Sequence, residues 1–381
     1  MTNKILPSPS YVCEEELLEN NLKLLKKVQD EADVNILLAL KGFAMYSTFD
    51  MCKKYLKGCC ASGLNEAILA KNEFGGEVHT YSPAFKHNEF EQISQISNHI
   101  VFNSFNQLLT YIDKVKPHNS LGLRINPEYS SVEIDLYNPC GTYSRLGLTK
   151  SEFDKTLSLD KAILNNIDGF HFHALCEQNV DALQGVLEKF ENNFGSYFKD
   201  LKWVNFGGGH HITREDYKVD SLIKLLIDFK KRYPHLKVYL EPGEAVGWQT
   251  GYLETTVLDI VHNEIYIAIL DTSAECHMPD TLAMPYKAQI RDASSNPDEK
   301  AYKYRLGGNT CLAGDIIGDY SFDKPLNIGD KIILEDMIHY TMVKTTTFNG
   351  INLPSIVIKR KDGSFEVVKN YDYLSYKDRL S

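Results

Sequence analysis

The segment Ile36-Leu37-Leu38-Ala39-Leu40-Lys41-Gly42-Phe43 is an uncharged apolar run that ends in a single lysine. A short apolar run of this kind indicates a buried strand, so Lys41 would lie where that strand meets a loop. Enclosure by protein lowers the pKa of an amine, and only the neutral amine attacks a carbonyl group. Lys41 is therefore a candidate Schiff-base lysine at the mouth of a parallel barrel. The alternative is a lysine that simply begins a solvated loop, because strand ends are often polar.

The same alternation of short apolar strand, loop and helix continues through the first two thirds of the chain. The predicted strands are Ile36–Leu40, Gly58–Ser62, Glu77–Tyr81, His99–Asn103, Leu121–Asn126, Gly169–His173, Trp203–Phe206 and Val238–Glu241. The predicted helices include Glu14–Asp30, Tyr46–Leu56, Leu64–Phe74, Asn106–Val115, Val180–Asn192 and Asp220–Tyr233. Repeated βα units over roughly 200–250 residues are typical of a (β/α)₈ barrel, and a doubly wound open sheet is the competing fold. The barrel is favoured because the chemistry-bearing residues follow strand ends, which converge on one mouth in a barrel.

Beyond Ala245 the pattern changes to runs rich in β-branched and aromatic residues, separated by turn residues. The predicted strands there are Thr255–Val261, Ile265–Leu270, Tyr302–Leu306, Lys331–Glu335, Ser355–Lys359 and Ser364–Lys369. The fold class is thus α/β plus all-β. We expect a barrel over residues 11–245 and a β domain, a sandwich or barrel, over residues 246–381 together with residues 1–10.

Composition limits the classes of function. The chain has 381 residues, a net charge of −10 and a pI near 5.7, which argues against non-specific nucleic-acid binding and is compatible with a cationic small substrate. No apolar run reaches the length of a membrane span, and the N-terminus lacks a signal-peptide pattern. The 8 cysteines include no Cys-x-x-Cys pair. We therefore expect a cytoplasmic, reduced protein without a metal site.

Three consecutive glycines, Gly207 to Gly209, follow the predicted strand at Trp203 and favour a phosphate-binding loop over a simple tight turn. His210 and His211 come next, but no further ligand spacing supports a metal. Glu241 ends the last predicted barrel strand and could hold a proton on a ring nitrogen. Glu244, three residues on, could meet a substrate amine. For Glu241 the alternative is a surface glutamate before a turn.

The histidines of Gly169-Phe170-His171-Phe172-His173 share one strand face, and the pattern favours His173 as the one that faces a ligand because it is nearer the strand end. A satisfied core histidine is the alternative. In the β domain, the glycine-rich segment from Gly307 to Asp315 carries Cys311 and could present an acid and an amine-binding carboxylate. An ordinary turn with a buried thiol is the alternative there. Tyr340 could bind a phosphate or a backbone carbonyl.

Taken together and in order, these motifs resemble the fold-type III pyridoxal-phosphate decarboxylases, which have an alanine-racemase-like barrel. The matching segments are Ala39-Leu40-Lys41, Cys60-Ala61-Ser62 with Glu66, His173, Gly207-Gly208-Gly209, Glu241-Pro242-Gly243, Cys311 with Asp315, Tyr340, and Phe348-Asn349-Gly350.

The resemblance implies pyridoxal 5'-phosphate as cofactor and assigns roles to these residues. Lys41 would hold the aldehyde, and Glu241 would pair with the pyridine nitrogen. The other cofactor ligands would be His173 against the ring and Gly208, Gly209 and Tyr340 at the phosphate. Cys311 and Asp315 would be supplied across a homodimer interface, with Cys311 as catalytic acid.

Two departures narrow the resemblance. The family often has arginine after Glu-Pro-Gly, where this chain has Glu244, and Ala-Asn after the lysine, where it has Gly42-Phe43. These changes, with Cys276-His277-Met278-Pro279-Asp280, resemble the subfamily that decarboxylates carboxynorspermidine and carboxyspermidine, in which positions matching Glu244 and Asp280 bind substrate. The exchange of arginine for glutamate suits a substrate extended by ammonium groups.

Three alternatives remain at this stage. A diaminopimelate decarboxylase would need a cation for the distal carboxylate, and none is evident beside Glu244. A non-catalytic regulatory relative is disfavoured by intact Lys41, Cys311 and Asp315. An amino-acid racemase would need a second base in place of Cys311.

Overall fold

The computed structural model describes residues 6–381, which divide into two compact units. One comprises residues 21–246, and the other comprises residues up to Asn20 together with residues 247–381. The first elements of the described residues are strand β1 (Ser10–Glu14) and helix α1 (Glu15–Ala32), and the boundary between the units falls within α1. None of the helices in residues 6–381 combines the length and apolarity needed to cross a membrane.

The unit of residues 21–246 is a closed barrel of eight parallel strands, as the sequence predicts. Its strands run in chain order around the barrel: β2 (Asn35–Ala39), β3 (Gly58–Ala61), β4 (Glu77–Tyr81), β5 (His99–Phe102), β6 (Ser120–Arg124), β7 (Gly169–His171), β8 (Trp203–Asn205) and β9 (Lys237–Leu240). The barrel closes where β2 pairs with β9, through Asn35 with Tyr239 and Ile36 with Leu240.

Helices alternate with these strands, and their apolar faces are buried. They are α2 (Phe49–Cys52), α3 (Leu64–Leu69), α4 (Phe90–Ile96), α5 (Phe105–Tyr111), α6 (Lys150–Leu159), α7 (Val180–Phe194), α8 (Val219–Arg232) and α9 (Glu244–Gly247). In α8 the buried residues Leu222, Ile223, Leu226 and Phe229 recur at helical spacing and form one apolar face. The helix predicted over 46–56 is wrong in extent, because only a 3₁₀ turn at Tyr46–Thr48 and the single turn of α2 form there.

The chain also forms short helical turns of other types. A π-helical turn at Ala70–Phe74 continues α3, and 3₁₀ turns lie at Ile112–Lys114, Asp135–Tyr137, Lys161–Asn166, Gly195–Asp200 and Phe348–Gly350.

The other unit is built on a mixed nine-stranded sheet, which confirms a separate β domain. Its strands after β1 are β10 (Gly251–Asn263), β11 (Ile265–Leu270), β12 (Ala293–Ser294), β13 (Tyr302–Gly307), β14 (Ile316–Phe322), β15 (Lys331–Glu335), β16 (Ser355–Lys359) and β17 (Phe365–Lys369). Its short helices are α10 (Ala274–His277), α11 (Pro279–Ala283), α12 (Tyr340–Val343) and α13 (Tyr373–Lys377). Strand β1 lies inside this sheet, antiparallel to β10 and parallel to β16.

Close packing inside the barrel depends on two glycines that face a tryptophan. Gly122, Gly169 and Trp203 occupy one row across β6, β7 and β8, and the buried indole of Trp203 fills the space that the two glycines leave. A methyl group added at Gly169 would lie 2.1 Å from the indole, and one added at Gly122 would lie 2.4 Å from it. The indole nitrogen donates a hydrogen bond to Ser120 Oγ at 2.8 Å, so the ring is also fixed in orientation.

We expect Gly169→Ala to reduce the free energy of unfolding by about 1–3 kcal/mol, because overpacking a rigid core forces side chains and backbone to shift. Urea unfolding of the purified protein measures this. Gly195→Ala is the matched control: the added methyl would meet only Tyr233 Oη, at 3.5 Å, and the backbone there is helical. It should change stability by less than about 0.5 kcal/mol. Equal stability of the two variants would contradict this view of the barrel interior.

Candidate active site

Lys41 lies just beyond the carboxyl end of β2, at the mouth of the barrel. Its pKa is lowered because surrounding protein removes water from the ammonium group; Cys60 opposes this shift and Arg124 adds to it. The side chain is nevertheless exposed to solvent. Both properties fit a lysine in a concave mouth, where solvent enters through the opening and barrel atoms surround the amine on the other sides. The lowered pKa favours the neutral amine that reacts with carbonyl groups.

The three glycines after β8 form a tight loop of bare backbone. Gly207 and Gly209 have φ angles of +67° and +83°, which favour glycine. A methyl group on Gly208 would lie 2.3 Å from the carbonyl oxygen of Glu241, and one on Gly209 would lie 2.1 Å from that of Leu175. Backbone without side chains can approach an anion closely, as phosphate sites require.

His173 is fixed against this loop. Its Nδ1 accepts a hydrogen bond of 2.9 Å from the Gly208 N–H, so the proton of the neutral ring is on Nε2. Burial lowers the pKa of His173 well below its ordinary value, and the charges of Lys41 and Arg124 lower it further. His173 therefore presents a neutral aromatic ring beside the glycine loop.

Glu241 follows β9 and is held by two polar side chains. Its Oε1 accepts a 2.7 Å hydrogen bond from Asn205 Nδ2, and its Oε2 lies 3.4 Å from His171 Nε2. Burial by itself would raise the pKa of Glu241, but interactions with His171, His79 and Asn205 outweigh it and bring the pKa to about 2. Burial lowers the pKa of His171 in turn. At neutral pH we therefore assign the charge to Glu241 and none to His171.

Glu244 begins α9 directly after Pro242-Gly243 and is half-buried. Its backbone lies against the residue that follows Lys41: a methyl group on Gly42 would be 2.9 Å from the Glu244 nitrogen. The Ala39 N–H also donates a hydrogen bond of 3.1 Å to the Pro242 carbonyl. The lysine segment and the segment that carries both acids are thus in direct contact.

These groups match the chemical parts of pyridoxal phosphate. The amine of Lys41 suits its aldehyde, the glycine loop suits its phosphate, and the ionised Glu241 suits a protonated ring nitrogen. The neutral ring of His173 offers an aromatic surface to the pyridine. Two observations support this fit. Only glycine can form the loop at 207–209, and the acid Glu241 is ionised although protein surrounds it.

Asp280, Tyr340, Cys311 and Asp315 lie in the β unit. Asp280 is buried, and its Oδ2 accepts hydrogen bonds from Thr341 Oγ1 at 3.1 Å and Tyr286 Oη at 3.3 Å. Its Oδ1 is buried and has no hydrogen-bond partner among residues 6–381. A buried carboxylate oxygen without a partner is a strong acceptor for a cationic donor. Tyr340 begins α12, and Lys344 Nζ lies 5.3 Å from the centre of its ring.

Cys311 is exposed, and Asp315 holds the loop that carries it. The Cys311 N–H donates a 2.7 Å hydrogen bond to Asn349 Oδ1. The carboxylate of Asp315 accepts hydrogen bonds from Ser273 Oγ, from Thr310 Oγ1 and from the N–H groups of Ala274, Glu275 and Thr310. Asp315 is buried. Asp315 therefore links the segment of Ser273, Ala274 and Glu275 to the loop that carries Thr310 and Cys311.

Sequence reasoning assigned no role to Asn205, His171 or Arg124, although each lies among the barrel residues of this site. Asn205 bonds both Glu241 and the Gly207 N–H. Arg124 is buried with its guanidinium 4.6 Å from the centre of the Tyr81 ring. The sequence signal that could identify these residues is a polar side chain inside an otherwise apolar strand, because such a side chain is rarely buried without a partner.

Glu77, His79 and His99 form the one group of potential metal ligands found in the described part of the chain. It lies at the amino ends of β4 and β5, away from the mouth. The rings of His79 and His99 stack with centroids 3.8 Å apart and an interplanar angle of 17°. Nearly parallel stacked rings do not direct their lone pairs at one ion, so we assign no metal here. His210 and His211 do not belong to the group.

Residues 11–338 match the family described as pyridoxal-dependent decarboxylase, C-terminal sheet domain. The chain belongs to this family. It is accordingly a decarboxylase that uses pyridoxal 5'-phosphate.

Three similar proteins refine this assignment. The decarboxylase is 49% identical to the carboxynorspermidine/carboxyspermidine decarboxylase of Campylobacter jejuni, over 97% of this chain and 98% of that protein. It is 45% identical to the carboxyaminopropylagmatine decarboxylase of Synechocystis, over 98% of this chain and 96% of that protein. A crystal structure of carboxynorspermidine decarboxylase from Campylobacter jejuni, complexed with norspermidine, superposes with a TM-score of 0.91 at 47% identity, covering 98% of this chain and all of that one.

Diaminopimelate decarboxylases are more distant relatives of the decarboxylase. Three of them are 21–25% identical over 55–66% of this chain.

Proposed function

We propose that this decarboxylase converts carboxynorspermidine, carboxyspermidine or both into norspermidine or spermidine, as a step of polyamine synthesis in the cytoplasm. Glu244 is the observation that carries the proposal. It puts an acid, in place of a cation, on the segment packed against Gly42, the residue that follows Lys41. Near-full-length similarity to relatives that act on carboxylated polyamines supports it.

Within the site each residue has a distinct task. Lys41 would hold the aldehyde of pyridoxal phosphate, Gly208, Gly209 and Tyr340 its phosphate, and Glu241 its ring nitrogen. Bound there, the cofactor supplies an electron sink for the electron pair that departing CO₂ leaves behind. Glu241 stays ionised because Asn205 and His171 stabilise its charge, so it can keep a proton on the ring nitrogen. His173 stays neutral and would pack against the ring.

Proton delivery and substrate orientation fall to the remaining residues. Cys311 would donate the proton that replaces the carboxylate on the substrate carbon. Glu244, Asp280 and Asp315 would bind distal ammonium groups of the substrate. The unpartnered Oδ1 of Asp280 supports that role, whereas Asp315 is already engaged by five donors and would act partly by shaping the Cys311 loop.

We propose further that the working form is a homodimer in which Cys311 acts on the partner's barrel. Cys311 is exposed, and the neighbouring Leu312 and Phe348 are 42% and 44% exposed. Apolar side chains clustered around an exposed cysteine are typical of a contact surface.

The substrate proposal predicts that charge at position 244 controls selectivity. With each candidate substrate and pyridoxal phosphate, CO₂ release should be fastest for carboxynorspermidine or carboxyspermidine. Glu244→Arg should reduce kcat/KM for these substrates by roughly 10–100-fold, because it replaces an attraction with a repulsion. Glu244→Gln only removes the charge, so its kcat/KM should lie between that of the unaltered protein and that of Glu244→Arg. Efficient turnover of meso-diaminopimelate by the unaltered protein, or equal losses for all substrates, would contradict the proposal.

The dimer proposal predicts complementation between two inactive variants. Lys41→Ala and Cys311→Ala should each lose nearly all activity. When they are mixed and allowed to exchange subunits, about a quarter of the sites should combine an intact lysine with an intact cysteine. Activity should therefore return to about that fraction of the unaltered enzyme. If the mixture stays inactive while native mass spectrometry shows hybrid dimers, Cys311 does not act across an interface.

A further inference from the structure

The two oxygens of Glu241 are held differently. Asn205 Nδ2 donates a short hydrogen bond of 2.7 Å to Oε1, and Asn205 Oδ1 accepts one of 2.8 Å from the Gly207 N–H. On the other side, Oε2 faces His171 Nε2 at 3.4 Å, within ion-pair range but longer than a well-formed hydrogen bond. The Glu241 side chain is 14% exposed and that of His171 only 3%.

His171 has no other polar engagement that would explain its burial. Neither ring nitrogen of His171 makes a well-aligned hydrogen bond within residues 6–381. The Tyr81 ring lies 5.6 Å away, and Lys41 and Arg124 act on the imidazole while the imidazole acts on His173. A buried imidazole that faces one carboxylate and has no other partner needs an explanation, because buried polar groups are rarely left unpaired.

The protonation state of His171 follows from its neighbours. The imidazole is neutral at neutral pH, because burial lowers its pKa and the Lys41 and Arg124 charges oppose a further positive charge. The nitrogen that faces Oε2 must carry the ring proton, since a bare nitrogen lone pair would repel the carboxylate. His171 can therefore donate to Glu241 without neutralising it, and small movements often tighten such contacts when a site is loaded.

We propose that His171 is a positioning residue that acts through Glu241: its Nε2–H holds Oε2 while Asn205 holds Oε1, so that the carboxylate stays in place and directed at the cofactor ring nitrogen. The inference rests on the proposed function, because it gives Glu241 a cofactor to act on. Asn205 extends the arrangement to the glycine loop, so one network sets the spacing between the acid at the ring end and the loop at the phosphate end.

The alternative is that His171 is a core histidine that only fills space. His171→Leu and His171→Gln separate the two possibilities, since leucine fills similar volume without a donor and the amide nitrogen of glutamine reaches about as far as Nε2. His99→Leu is the matched control, because it makes the same exchange inside the same barrel, where His99 stacks on His79 and Glu241 is not among the groups that shift its pKa.

The measurements are the pyridoxal phosphate dissociation constant of each full-length variant and the pH midpoint of the bound-cofactor absorbance. We expect His171→Leu to raise the dissociation constant roughly 10–100-fold, as for loss of a hydrogen bond to a charged group, and to shift that midpoint. His171→Gln should return the constant to within about threefold of the parent value, and His99→Leu should leave it within about twofold.

Parent-like affinity and spectrum in His171→Leu, or equal changes in His99→Leu, would overturn the inference. If His171→Leu does not fold, His171→Asn replaces it, because its shorter amide cannot reach Oε2. These readouts use only the cofactor. A wrong substrate assignment would appear separately, as an unaltered protein that binds pyridoxal phosphate normally but releases no CO₂ from carboxylated polyamines.

Discussion

The pairing of β2 with β9 is the constraint on which the site depends. Lys41 and Glu241 lie 200 positions apart in sequence, yet the register of Asn35 with Tyr239 and Ile36 with Leu240 places the two strand ends side by side. Gly42 and Gly243 then let the two loops approach to contact, where any side chain would collide with backbone. Closure of the barrel therefore brings together an amine and an acid that no local structure could join.

Once the mouth is closed, burial and hydrogen bonding set the charge state of each group. The same loss of water that lowers the pKa of Lys41 and His173 would by itself raise the pKa of Glu241. Asn205 and His171 reverse that tendency for the acid alone. The result is a lysine whose pKa is lowered, a neutral ring and an ionised carboxylate within one mouth, an arrangement that suits a pyridoxal cofactor. Asn205 hydrogen-bonds both the Glu241 carboxylate and the Gly207 N–H. The same side chain therefore fixes the charged acid and the glycine loop.

Much of this arrangement is predictable from sequence, and the exceptions have physical reasons. All eight barrel strands, with Lys41, His173, the glycine loop and Glu241 at their ends, follow from apolar runs and the residues that end them. Strand β14 was missed because glycine and aspartate interrupt Ile316–Phe322, and β1 because its short run leads directly into α1. The helix after Lys41 was predicted too long, since an apolar pattern does not show where a loop must turn. Asn205 and His171 were missed because their importance comes from partners on other strands, which spacing along one strand does not reveal.

The most direct test of the account is chemical location of the cofactor. The protein is incubated with pyridoxal phosphate, treated with borohydride to fix any bond between an amine and the aldehyde, digested and mapped by mass spectrometry. The account predicts one labelled peptide, containing Lys41, and no label on that peptide's counterpart in Lys41→Ala. Stoichiometric labelling of a different lysine, or of none while the cofactor remains bound, would contradict it.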